Sequence, residues 1–106
     1  MKALLKHPGQ EAKVINLYGV TDAVINTLLD TDNAKIFGIN SLRLLVDDNA
    51  YRKYLPFNMF LRGYKICGPI LIIKTTGEGF SGLSDEELLE AKDLLASGSE
   101  QEFASW

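Results

Sequence analysis

The apolar positions of this 106-residue chain change repeatedly between strand and helix spacing, which predicts a small α+β domain. The longest apolar run covers residues 66–75, and the glycine-rich segment 77–82 follows it. An apolar run bounded by turn residues is typical of a strand buried on both faces. Pro69 cannot donate a ladder hydrogen bond, so the regular strand is expected at 70–75. We predict that this strand lies at the centre of the sheet.

Four other segments show the alternation and β-branched residues that strands favour. Pro8-Gly9 is expected to connect the first two segments, and Asn40-Ser41 to connect the last two. A loop with one helical turn is predicted for residues 51–64, because Pro56 disfavours helix before it and Gly63 interrupts the other end. The four predicted strands are 2–6, 12–18, 34–39 and 42–46.

Two amphipathic segments predict helices. Thr21 is a suitable N-cap for the first, which is expected to end within residues 30–33. Ser84 and Glu87 form an S-x-x-E capping box at the start of the second, and Gly98 is a natural stop. The residues expected to be buried are Val24, Ile25, Leu28 and Leu29 in the first helix, and Leu88, Ala91, Leu94 and Leu95 in the second.

These elements predict an α+β fold with a small mixed, mostly antiparallel sheet of about five strands and two helices packed on it. The length suits one domain, which we place at residues 1–97. Residues 98–106 are expected to form a flexible acidic tail. Exposed edge strands in so small a sheet favour pairing between copies, so a homo-oligomer is expected.

Charge is distributed unevenly along the chain. Residues 43–74 hold six Lys or Arg against two acidic residues, whereas residues 75–106 hold one Lys against eight acidic residues. The overall charge of −3 argues against non-specific binding to nucleic acid. A single cysteine cannot form an internal disulfide, and no apolar run approaches the roughly 20 residues of a membrane span. We therefore expect a cytoplasmic protein with no membrane association.

The basic and aromatic residues of segment 51–65 are the main candidate for ligand binding. Aromatic rings stack on bases, and arginine binds phosphate through two parallel hydrogen bonds. The alternative is that the rings complete the core while the cations lie in water. The predicted ligand-binding residues are Arg52, Lys53, Tyr54, Asn58, Arg62 and Tyr64.

Catalytic patterns are weak. His7 and Cys67 are the available base and nucleophile, with Asp47 or Asp48 as a carboxylate partner, but Cys67 lies in an apolar run where a thiol is inert. No two metal-ligating residues have a motif spacing. The glycines of residues 77–82 match a dinucleotide fingerprint, but the required later strand is missing, so a strained turn is expected. We expect no enzyme activity, no metal and no cofactor.

The order of features resembles a family of small uncharacterised domains carried by phages and mobile elements of mainly Gram-positive bacteria. The resemblance covers about residues 2–95. Its motifs are Pro8-Gly9, Leu55-Pro56-x-Asn58, Gly68-x-x-x-Ile72-Ile73, Gly79-Phe80 and, most sharply, residues 83–87 with the sequence Leu-Ser-Asp-Glu-Glu.

The resemblance implies a setting, that of an accessory protein made inside an infected or element-bearing cell, and it implies no catalytic residues. We expect a non-enzymatic binding protein, a counter-defence factor that sequesters a nucleotide signal or blocks a host defence protein. The alternatives are a small hydrolase or nucleotide-modifying enzyme, and a structural or replication accessory protein with no ligand.

Overall fold

Eight strands and two helices make up the described chain. The structure, a computed structural model, describes residues 1–77 and 79–101. The strands are β1 (Lys2–Lys6), β2 (Lys13–Asn16), β3 (Ala34–Ile39), β4 (Leu42–Asp47), β5 (Phe57–Leu61), β6 (Tyr64–Cys67), β7 (Ile70–Thr76) and β8 (Gly79–Ser81). The helices are α1 (Asp22–Leu29) and α2 (Asp85–Ala96).

The main sheet has the strand order β2-β1-β7-β4-β3, with the short strand β8 added to β7. All its pairings in the described chain are antiparallel. The central position predicted for residues 70–75 is confirmed, since β7 lies between β1 and β4 and its first four residues are fully buried. The predicted α+β class, with a mostly antiparallel sheet and two helices, is likewise confirmed.

The two faces of the sheet carry different covers, because side chains alternate along each strand. On one face, Leu71 and Ile73 of β7 pack with Ile25 and Leu29 of α1. On the opposite face, the other side chains of β7 pack with α2 and with a separate two-stranded sheet, β5–β6. The buried stripe predicted for α2 is confirmed as part of this second core.

Both predicted helix starts are confirmed. The Thr21 side chain accepts a hydrogen bond from the Val24 amide, 3.3 Å away. At α2, the Ser84 hydroxyl accepts from the Glu87 amide while the Glu87 carboxylate accepts from the Ser84 amide, which completes the capping box. No helix in residues 1–77 or 79–101 is long and apolar enough to cross a membrane.

The loop predicted for residues 51–64 is wrong in its second half. Residues 51–54 do form a turn, but residues from Phe57 onward form the β5–β6 hairpin. Pro56 lies just before β5, where its missing N–H removes no ladder bond. The hairpin was hidden because its tight turn begins with Arg62, a residue type uncommon in such turns.

The segments 77–82 and 98–106 are only partly described. Gly79 to Ser81 form β8, which folds back on β7 as a hairpin, while Glu78 lies outside the described residues. In the predicted tail, Ser99 pairs with Phe60, and residues 102–106 lie outside the described chain. The domain boundary after residue 97 stays a prediction.

Candidate functional site

A groove opens where the β5–β6 hairpin meets the edge strand β3. The hairpin turns through Arg62 and Gly63, whose φ angles of 51° and 83° are both left-handed, and Leu61 pairs directly with Tyr64. Two central residues with positive φ are typical of the type I′ turn, whose twist matches that of paired strands. This turn brings Arg62 and Tyr64 close together at one end of the hairpin.

An aromatic pair forms the floor of this groove. The ring centroids of Phe37 on β3 and Tyr64 on β6 are 5.4 Å apart, and the Lys35 ammonium lies 5.1 Å from the Phe37 centroid. A cavity of about 380 Å³ adjoins the pair and is also lined by Asn40 and Arg62. We name this cavity, bounded by Phe37, Tyr64 and Arg62, the hairpin groove.

Two residues give the hairpin groove its capacity to bind a ligand. Tyr64 is 60% exposed, so much of its ring surface is accessible. Within residues 1–77 and 79–101, the Arg62 guanidinium has no hydrogen-bond or ion-pair partner. An accessible ring beside an uncommitted guanidinium can stack on a flat group and bind an anion attached to it.

The surface beyond the hairpin groove continues the same chemistry. A second cavity of about 340 Å³ shares the aromatic pair and extends to Lys35, Lys65 and Tyr51. A third, of about 290 Å³, shares Tyr51 and Lys65 and ends at Tyr54. The aromatic and cationic side chains that line these three cavities form one continuous strip along the hairpin.

The structure brings together only some of the predicted ligand-binding residues. Arg62 and Tyr64 line the hairpin groove, and Tyr54 lines the far end of the strip. Arg52 is exposed and lines none of the three cavities. The remaining two, Lys53 and Asn58, are committed to contacts within the protein.

Lys53 is committed to a buried carboxylate. Its ammonium donates to Asp47 Oδ2 at 2.8 Å and to the Asp30 carbonyl at 2.8 Å. Asp47 Oδ1 also accepts from the Thr31 hydroxyl at 2.7 Å and from the Asn49 amide at 2.9 Å. We name Thr31, Asp47, Asn49 and Lys53 the Asp47 network.

The hydrogen bonds of the Asp47 network favour the charged forms of both Asp47 and Lys53. Burial raises the pKa of the Asp47 carboxyl, but the hydrogen bonds outweigh burial and hold that pKa below its usual value. The hydrogen bond to Asp47 in turn raises the pKa of Lys53. Lys53 is therefore held as a partner of Asp47 and lines neither the hairpin groove nor the two cavities beside it.

Asn58 is part of the core rather than of an open surface. Its side chain is 2% exposed, and the amide nitrogen donates to the carbonyls of Lys6, at 3.0 Å, and Gly68, at 2.8 Å. Its Oδ1 accepts from the Lys6 ammonium at 2.9 Å. Both amide donors are thus used within the protein, and burial separates the side chain from any ligand in the hairpin groove.

Sequence reasoning missed Lys35 and Phe37, because they lie in a strand about 15 residues before the candidate segment. Their signal was the alternation of β3, which places both side chains on one face. The Arg62-Gly63 dipeptide between two apolar segments was a weaker signal: glycine at the second turn position is typical of a hairpin, but arginine at the first is not.

The residues of the enzymatic alternative are divided between two places. Cys67 is buried in β6, and the 340 Å³ cavity is lined by Cys67, Asp47 and Asp48 but not by His7. Asp47 already accepts three hydrogen bonds within its network. In the described part of the chain, no three His, Cys, Asp or Glu side chains are grouped to hold a metal ion.

Comparison of the chain with protein families, with curated proteins and with solved structures finds no match.

Proposed function

We propose that this protein is a non-enzymatic binding protein whose hairpin groove holds a flat anionic ligand of the nucleotide class. The observation that carries the proposal is the accessible Phe37–Tyr64 pair beside the uncommitted guanidinium of Arg62. The ligand's base would stack on Tyr64, while Arg62 would bind its phosphate.

The energies expected of such contacts are sufficient for binding. Stacking of a base on an aromatic side chain contributes about 1–3 kcal/mol. A bidentate arginine–phosphate pair is stronger than a neutral hydrogen bond and also fixes the ligand's orientation. The ammonium of Lys35 lies over Phe37 at the same floor, where it adds positive charge. A cavity of about 380 Å³ is within the usual range for small-molecule sites.

The biological role we propose is that of a phage-type accessory protein acting against host defence. Sequestration of a nucleotide signal fits a groove that binds without reacting. A second form of the same role is blockade of a host defence protein, in which the aromatic and cationic strip would contact the partner. Both forms are supported by the resemblance to phage-carried domains and by the character of the strip.

We also propose that two copies pair through β3. This strand has six residues, lies at the edge of the sheet, and exposes half of Ile36. A free edge without proline or bulge offers its backbone groups to another strand. Ile36→Lys should yield a monomer in light scattering, whereas Val14→Lys, at the opposite edge, should leave a dimer. A monomeric wild type would reject this pairing.

Binding can be tested by calorimetry with a panel of mono-, di- and cyclic nucleotides. Tyr64→Ala and Arg62→Asn should each weaken binding at least tenfold; asparagine suits the left-handed turn position, so the hairpin is kept. The matched controls are Tyr18→Ala, at a fully exposed tyrosine, and Arg52→Ala, at an arginine outside the strip. Equal losses in the controls, or no binding across the panel, would reject the nucleotide form.

The enzymatic alternative is distinguished by following the ligand itself. If the protein only binds the nucleotide, chromatography should show the nucleotide unchanged after prolonged incubation and release by denaturation of the protein. Turnover that is lost in Cys67→Ala, with Asp47 and Asp48 lining the same cavity, would favour the hydrolase reading instead.

A further inference from the structure

A buried ammonium lies at another cavity, which shares no residue with the hairpin groove. Lys6 is 5% exposed and lines a cavity of about 350 Å³ between the turn after β1 and the end of α2. The apolar side of this cavity includes Ala12, Leu95 and Ala96. A lysine this deeply buried requires an anion or several acceptors, because loss of hydration is costly for a charge.

The body of the protein fixes the position of this ammonium. Its Nζ donates to Asn58 Oδ1 at 2.9 Å and, more weakly, to the His7 carbonyl at 3.4 Å. The Asn58 amide is itself held by the carbonyls of Lys6 and Gly68, so Oδ1 faces the ammonium. Two of the three donor positions are thus filled by neutral acceptors on fixed elements.

The third partner of the Lys6 ammonium is a carboxylate on the segment that follows α2. Glu100 Oε1 lies 2.7 Å from Lys6 Nζ, and the Glu100 side chain is 60% exposed. Glu100 follows α2, and the residue before it is joined to β5 by the two backbone hydrogen bonds of the Phe60–Ser99 bridge. The charge that neutralises Lys6 is therefore the exposed and replaceable member of the pair.

We propose that the Lys6 cavity is a carboxylate-binding site that Glu100 occupies as an intramolecular ligand. A carboxylate on a small acid or at the end of a peptide chain would replace Glu100 and place its apolar part against Ala12, Leu95 and Ala96. Glu11 also lines the cavity. A ligand with a single negative charge suits the site better than a phosphate, because Glu11 repels additional charge.

The test uses the full chain with Glu100→Gln, which leaves Lys6 buried without its anion. Sodium acetate should raise the unfolding temperature of this variant by about 2–5 °C more than sodium chloride at equal ionic strength. Lys6→Met/Glu100→Gln is the matched control, because its difference between the two salts measures the general effect of acetate on protein stability. A difference in Glu100→Gln no larger than that in the control would overturn the proposal.

A second measurement remains informative if Glu100→Gln folds poorly. In the wild-type protein, titration with acetate should shift the amide NMR signals of Ser99 and Phe60, and the shifts should saturate; unsaturated shifts identical to those caused by chloride would overturn the proposal. Trialanine with a free carboxyl end, compared with its amidated form, distinguishes the ligand sources. Tighter binding of the free peptide than of acetate indicates a chain end, whereas equal binding indicates a small acid.

Discussion

The four buried polar residues of the described chain form two pairs of opposite construction. Thr31 and Asp47 lie in the Asp47 network, where the carboxylate is buried and its cation, Lys53, is 39% exposed. In the second pair, Lys6 and Asn58, the cation is buried and its carboxylate, Glu100, is exposed. In both pairs the buried charge depends on a partner that reaches in from the surface.

The two pairs differ in how many fixed elements serve the buried charge. Asp47 accepts from a hydroxyl before β3 and from a backbone amide and an ammonium in the turn after β4. Lys6 has one strong neutral acceptor, Asn58, and one anion on the segment after α2. The comparison indicates that the Asp47 network stabilises the fold, while the Lys6 pair leaves a position that another anion can fill.

The largest expected effect is at Asp47. Asp47→Ala should lower the free energy of unfolding by about 3 kcal/mol, because it leaves the Thr31 hydroxyl and the Asn49 amide without their acceptor. Urea denaturation measures this difference. Asp48→Ala is the matched control, since this exposed neighbour makes one side-chain contact, with Asn33 at 3.3 Å, and should change stability by less than about 0.5 kcal/mol. Equal effects at the two positions would contradict the assignment.

The same carboxylate predicts a pH dependence. The folded-state pKa of Asp47 is lowered, so its contribution is complete above the unfolded value of about 3.9 and is lost as the pH falls through the folded value. The difference in urea midpoint between wild type and Asp47→Asn should be constant from about pH 7 to 5 and narrow below about pH 4. Glu87, whose pKa is lowered by the Ser84 amide and then by Lys74, contributes equally to both proteins. A difference that does not narrow in acid would show that Asp47 is not ionised in the fold.

A smaller effect is expected at Lys6. Lys6→Met keeps most of the buried aliphatic chain and releases Glu100 to water, so the main loss is the donor to Asn58 Oδ1. We expect a decrease of about 1–2 kcal/mol in the free energy of unfolding, well below the effect of Asp47→Ala. Lys2→Met, which breaks an exposed pair with Asp85, is the control and should be nearly neutral. A loss at Lys6 as large as that at Asp47 would remove the distinction between the two networks.

Local signals in the sequence were sufficient to predict most of the helices and strands, but they were insufficient to predict the buried hydrogen-bond networks. The capping box at Ser84 and the apolar run of β7 act through neighbours in the chain, so their outcome could be predicted. Asn58 was predicted to bind a ligand because asparagine is polar. Its burial, however, depends on a hydrogen bond from Lys6, which lies 52 residues away in the sequence. Arg62 was found by composition alone, but its meeting with Phe37 depends on how the hairpin packs on β3. Most of the incorrect predictions therefore concern contacts between residues that lie far apart in the sequence.

The smallest effect concerns the turn that carries Lys53 toward Asp47. Tyr54 ends this turn with a left-handed φ of 55°, and the Leu55 amide donates back to the Ala50 carbonyl in the manner of a helix C-terminus. Glycine is favoured at such a position, and the Tyr54 ring is 92% exposed. Tyr54→Gly should therefore raise the free energy of unfolding by about 0.5–1 kcal/mol.

Tyr51→Gly is the matched control for this gain, because it removes the same side chain from the same turn at a residue without positive φ. It should lower the free energy of unfolding by about 0.5–1 kcal/mol, since glycine gains no relief there and loses more entropy on folding. If both variants destabilise, the Tyr54 ring must contribute contacts that outweigh its backbone strain. If only Tyr54→Gly stabilises, the tyrosine lowers the stability of the fold at this strained position. Its exposed ring beside the aromatic strip is then accessible to a ligand or partner, and this access is the advantage that offsets the lost stability.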